Sequence, residues 1–124
     1  MTTIAWLMLI SALLPIVAVG IAKAGGSGFD NGNPRGWLSR QEGYRMRASA
    51  AQSNLFENLP FHFAAILFAL HNQADLAALR NAMIAWIVIR LVYIGCYVAD
   101  KGGLRSIVWA ISLATTCYIL FLGI

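Results

Sequence analysis

Arg45-Met-Arg47-Ala-Ser-Ala-Ala-Gln52-Ser-Asn54-Leu-Phe-Glu57-Asn58-Leu-Pro60-Phe runs directly into His62-Phe-Ala-Ala-Ile-Leu-Phe-Ala-Leu70. The stretch begins basic and water-facing and ends as an apolar run of the kind that lies at membrane depth. Gln52, Asn54, Glu57 and Asn58 sit between the two regimes. A helix that only faces lipid has no reason to carry them, because polar groups in the apolar region are costly. The rest of the chain decides what they are for.

The chain has 124 residues, 60% hydrophobic and only 11% charged, with a mean hydropathy of +0.70. Soluble domains carry about a quarter charged residues, so lipid is the preferred solvent here. The length fits one domain, residues 1–124, and four spans of roughly 20 residues each. The spans read approximately 4–22, 45–71, 76–98 and 104–122. This predicts an all-α integral membrane four-helix bundle. The first span has no charge and contains Pro15, a kink that neighbouring helices can tolerate. No Lys or Arg precedes it and it is too long for a signal-peptide core, so it reads as a permanent helix. From Lys23 to Glu42 the chain is polar, with Gly25-Gly-Ser-Gly28 and Asp30-Asn-Gly-Asn-Pro34 as turn chemistry. Trp37 occupies the place of an interfacial aromatic. The second helix is expected from near Ser39 to about His71.

The net charge of +4 invites comparison with nucleic-acid binders. However, the basic residues flank apolar runs, and no face interleaves basic and aromatic residues. The loops after spans one and three hold Lys23, Arg35, Arg40, Arg45, Arg47, Lys101 and Arg105, against Arg80 alone on the other side. The positive-inside rule then makes those loops cytoplasmic and puts both termini outside. Cys96 and Cys117 lie in apolar runs without metal or disulfide spacing, and read as small buried hydrophobes. His62 and His71 lack a carboxylate at ligand spacing, so no metal is expected. His62 reads as a packed histidine.

On a helix turning about 100° per residue, Asn54, Glu57, Asn58 and Phe61 share one face with Arg47, and Gln52 faces elsewhere. In the third span, Arg90, Tyr93 and Tyr97 form a second stripe. At ~1.5 Å per residue, Glu57 lies about 15 Å beyond Arg47 and Arg90 about 12 Å below Val98. The two are level, and the expectation is a Glu57–Arg90 ion pair. One pair alone would only fix helix register. With Asn54, Asn58, Tyr93, Tyr97 and Arg105 added, the set reads as a pocket for a polar, anionic small molecule beside a lipid-facing surface. No Ser has an ordered His and Asp partner, so triad chemistry is not indicated.

Ala51-Gln-Ser-Asn54-Leu-Phe-Glu57-Asn-Leu-Pro60 resembles the second-helix signature of the MAPEG superfamily, the membrane-associated proteins of eicosanoid and glutathione metabolism. Arg90-Leu-Val-Tyr93-Ile-Gly-Cys-Tyr97 with Arg105 resembles the third-helix run and following arginine of its leukotriene-forming enzymes, and Phe29-Asp-Asn-Gly-Asn-Pro-Arg35 looks like its bacterial members. The resemblance covers essentially the whole chain. It implies a homotrimer in a bacterial inner membrane, with glutathione as co-substrate bound between subunits near the cytosolic face. Hydrophobic electrophiles would be the small-molecule substrates of a transferase or peroxidase. By position, Gln52, Asn54, Glu57, Tyr93 and Tyr97 would contact glutathione, with Arg90 shaping the pocket. Asn58 takes the place of an aromatic contact. Arg105 matches the arginine that stabilises the thiolate. Gln52, on its separate face, would serve a neighbouring subunit. Ala50 stands where glutathione-using members often carry an arginine. That departure is shared with the non-catalytic lipid-binding branch, which makes a membrane scaffold or lipid-binding protein of the same fold the alternative. A small four-span multidrug transporter would need a carboxylate in the first span, and there is none.

Overall fold

The first helix, α1 (Thr2–Lys23), carries no charge until its last residue. At ~1.5 Å per residue it is about 33 Å long, slightly more than the roughly 30 Å of a bilayer's hydrocarbon. The computed structural model describes all of residues 1–124, and every regular element is helical. A six-residue α2 (Pro34–Ser39) follows, then α3 (Gly43–His71), α4 (Leu76–Val98) and α5 (Gly102–Phe121). Three of these, α1, α4 and α5, are long and apolar enough to cross a membrane. Trp6, Ile16, Val88, Val92 and Ile107 point outward from them. Large exposed apolar side chains on three spans of this length and hydropathy need a lipid solvent, and the molecule is an integral membrane protein.

The longest helix is α3, at 29 residues, and its polar first half lowers its hydropathy. It packs against α1, α4 and α5. Where α1 and α3 pack together, Ala18 and Ala22 of α1 and Ala48 and Ala51 of α3 are all fully buried. Small side chains let two backbones approach closely, which is how helices associate without a hydrophobic driving force. Leu55, Ile66, Leu79, Met83, Trp86 and Ile119 fill the centre of the bundle.

Two arginines at the start of α3 tie the bundle's end together. Arg45 Nη1 donates to the carbonyls of Ala22 and Ala24, each at 2.9 Å. Arg47 donates through Nε and Nη2 to the Val98 carbonyl, at 3.2 and 3.0 Å. Each guanidinium thus meets carbonyls at a helix C-terminus, where orphan acceptors and the negative end of the macrodipole favour a cation. The basic opening of the stretch is therefore bonded to backbone as well as facing water.

The polar connection differs from expectation in two ways. It contains a fifth helix, because Asn33 caps α2 by accepting from the Gly36 N–H at 3.1 Å and Pro34 starts its first turn. Gly43, at φ +62°, then turns the chain, so α3 begins later than Ser39. Trp37 is also not an exposed interfacial aromatic. It is buried, packs edge-on to Phe29 at 5.2 Å and donates Nε1–H to the Ser27 carbonyl at 3.1 Å. A Cβ on Gly26 would lie 2.5 Å from its ring, so only glycine allows this approach. The loop has a small core of its own.

Candidate functional site

Arg90 is fully buried in the middle of α4, and everything around it follows from that. Its Nη2 donates to Asn54 Oδ1 at 2.8 Å and its Nη1 to Ser112 Oγ at 3.3 Å. Both acceptors are neutral. The expected ion pair with Glu57 is not formed: Glu57 is exposed on the outer side of α3, and Asn54 takes its place. The physical reason lies in the wheel. Asn54 and Glu57 are about 60° apart on α3 at ~100° per residue, and the face towards α4 is centred on Asn54. Asn58 braces that residue, with Nδ2 donating to the Asn54 carbonyl at 2.8 Å and to Oδ1 at 3.3 Å.

From Arg90 a ladder of rings and cations leads outward. The Arg90 guanidinium lies 4.3 Å from the Tyr93 ring centroid. Tyr93 meets Tyr97 edge-on at 5.7 Å, and the Arg105 guanidinium lies 4.4 Å from the Tyr97 ring. Two cations thus bracket two aromatic faces, each held by the ring quadrupole. Asn54, Tyr93, Tyr97 and Arg105 all line one hollow of about 460 Å³, with Trp109 and Ser106 completing it. Its volume falls in the range of small-molecule sites. The first turn of α5 has no side-chain cap at its N-terminus, so the positive end of its dipole adds to Arg105 at the mouth.

Gln52 lies in a different hollow, of about 500 Å³, with Arg35, Ser49, Ala50, Ser53 and Phe56. Glu57 lines neither; on the α3 wheel it lies between the two. Arg90 lines neither, and stands behind Asn54 and Tyr93. Four of the eight residues singled out in the sequence therefore converge on one hollow, Arg90 and Asn58 support it from behind, Gln52 lines the other hollow and Glu57 lies between the two.

Sequence reading missed Ser112, Trp109 and Arg35. The first two had a signal: Arg105, Trp109, Ser112 and Thr116 fall within about 60° of one face of α5 at ~100° per residue. Ser112 Oγ–H also donates to the Trp109 carbonyl at 2.7 Å, which joins the Arg90 support to the hollow's wall. Deeper still, His62 is fully buried and stacks on Trp86 at 3.6 Å, with Nδ1 3.4 Å from Thr116 Oγ1. It is a packed histidine, as its isolation in the sequence indicated.

The chain is thus a membrane helical bundle with a buried arginine behind a hollow lined by Arg105 and aromatic rings near one end. The MAPEG family model matches residues 3–124, essentially the whole chain, and the chain belongs to that family. It is thereby a membrane protein of the eicosanoid- and glutathione-metabolism kind. No curated protein and no solved structure matches the chain.

Proposed function

We propose that this protein is a glutathione-dependent transferase or peroxidase acting on hydrophobic electrophiles dissolved in the membrane. The observation that carries the reading is the hollow bordered by α3, α4 and α5, where Asn54, Tyr97 and Arg105 meet beside a lipid-facing surface. Its one charged lining residue is a cation, Arg105, and with the Asn54 amide and the tyrosine hydroxyls it makes a donor set that suits the carboxylates and thiolate of glutathione. Arg105 at the mouth favours the thiolate, which is the nucleophile. In conjugation the thiol proton would pass to water at the open end, and the thiolate sulfur would attack an electrophilic carbon, forming a C–S bond as the bond to the leaving group breaks and that group departs with its electron pair. An apolar electrophile would arrive from the bilayer, across the exposed flanks of α4 and α5.

The two hollows fit a site shared between subunits of a homotrimer, with all four long helices crossing the bilayer and the α2 end of the bundle in the cytoplasm. One chain would offer Asn54, Tyr93, Tyr97 and Arg105, and its neighbour Gln52. Glu57, between the two hollows, would lie at their junction. The absence of an arginine at Ala50 is offset within the same hollow by Arg35 of α2.

The test is isothermal titration of the detergent-solubilised protein with glutathione, alongside thiolate absorbance. The expected result is binding below millimolar concentration with a thiolate signal that disappears in Arg105→Met. No heat at millimolar glutathione sinks the proposal. The second reading, a non-catalytic lipid-binding protein of the same fold, rests on Ala50. It is favoured if Arg105→Met and Tyr93→Phe change oligomer stability and nothing else.

A further inference from the structure

A third hollow, of about 600 Å³, lies away from both of these, between α4 and α5. It is at the end of the bundle where Gly123 comes against Asn72, opposite the Arg45 and Arg47 ties. Ala78, Ala82 and Ala85 of α4 face Ile111 and Ala114 of α5 across it. The small side chains leave a groove about 10 Å long at ~1.5 Å per residue.

Its polarity is graded along that length. The inner end, at Ala85 and Ile111, is wholly apolar. At the outer end, Arg80 Nε reaches Asn81 Oδ1 at 3.4 Å, and Asn81 is part of the wall. The Arg80 charge has no acidic partner: Asp75, the nearest carboxylate in sequence, accepts from the Ala78 N–H at 2.8 Å. The Tyr118 hydroxyl is beside the same end on an exposed side chain. Thr115, by contrast, spends its hydroxyl on the Ile111 carbonyl at 2.8 Å. The free groups at or beside this end are donors and one of them, Arg80 just outside the lining against Asn81, is a cation, so the complement is an anion with several acceptor oxygens and an apolar tail.

We propose that this groove holds one anionic phospholipid. Its phosphate is taken by Arg80, the Asn81 amide and Tyr118, and one acyl chain runs inward along Ala82 and Ala85. A phosphate suits a guanidinium at an interface, and a chain fills the space that alanines leave.

Native mass spectrometry of the whole protein, loaded with equimolar dioleoylphosphatidylglycerol and dioleoylphosphatidylcholine, tests this. The expected retention favours phosphatidylglycerol about fivefold, the effect of one basic residue near a lipid surface. Arg80→Gln brings the two lipids to parity. Ala85→Phe and Ala114→Leu, which fill the groove from opposite walls, reduce retention of both. Equal retention by the unmodified protein overturns the proposal, as does a preference that survives Arg80→Gln. Undiminished lipid retention in both filling variants also overturns it. If those variants change the subunit number instead, the groove belongs to a second copy of the chain.

Discussion

Replacing Asn54 by leucine should cost more than removing the charge it serves. Arg90 is fully buried and has two neutral acceptors, Asn54 Oδ1 at 2.8 Å and Ser112 Oγ at 3.3 Å. Hydrogen bonds to charged groups contribute ~1.5–3 kcal/mol in soluble proteins. Interhelical ones in membranes average ~0.6 kcal/mol and reach ~1.7. The Asn54 bond is short and its donor is charged, so the upper end applies, and Asn54→Leu is expected to lose about 1.5–2 kcal/mol. In that variant the guanidinium keeps the longer Ser112 hydrogen bond and the faces of Tyr93 and Trp86. Arg90→Met removes the buried charge together with its donors and fills much the same space, so it should cost less than about 1 kcal/mol. The double variant should cost little more than Arg90→Met alone, giving a coupling of about 1.5 kcal/mol. Unfolding in mixed micelles of rising dodecyl sulfate fraction, followed by circular dichroism, measures all three. If Arg90→Met loses as much as Asn54→Leu and the double variant loses their sum, the buried arginine is not held by Asn54 and the account of the site's floor is wrong.

Arg47→Gln should free the Val98 carbonyl and cost about 1 kcal/mol; hydrogen exchange should rise at the α4–α5 turn, and unchanged protection there would contradict the tie. Trp37→Ala removes the loop's small core, so limited proteolysis should cut between Lys23 and Glu42 far faster while the bundle's melting changes little. Gly26→Ala should give a milder form of the same effect through the 2.5 Å approach to the Trp37 ring. In a three-fold ring with shared sites, co-expressing Gln52→Ala and Arg105→Met chains should restore glutathione binding in about a quarter of sites, where neither variant alone binds. No restoration would place the whole site within one subunit.

Much of the architecture could be read because apolar runs and their breaks are written locally. Asp75 before Leu76 and the Asp100-Lys-Gly-Gly turn after Val98 mark both ends of α4. The cap of α2 was written just as locally, as Asn33-Pro34, yet a dense cluster of turn residues obscured it. Trp37 was misplaced because composition cannot separate an aromatic at a membrane surface from one buried under its own loop. That distinction depends on Phe29 and Gly26 folding back. The Glu57–Arg90 expectation failed for a related reason. Depth and helical angle place two residues on nearby faces at one level, but they do not say which of two polar side chains, 60° apart by the ~100° step, points at the neighbour. Asn54 does so at lower cost, because it pairs with Arg90 without burying a second charge. The grouping of Asn54, Tyr93, Tyr97 and Arg105 was legible as two helix stripes, whereas the separation of Gln52 was legible only as a different angle.

The arginine ties have a consequence for how the chain is made. Arg45 joins residues 21 and 23 positions earlier, so its bonds can close as soon as α1 and the start of α3 exist. Arg47 must wait for Val98, 51 positions later. At synthesis rates of ~5–20 residues per second, that wait lasts roughly 3–10 s. During it the Arg47 charge has only water as a partner. When α4 ends, its carbonyl takes over that role. The pair acts in sequence, one closing early to set the first hairpin and the other late, so that Arg47 registers the arrival of α4.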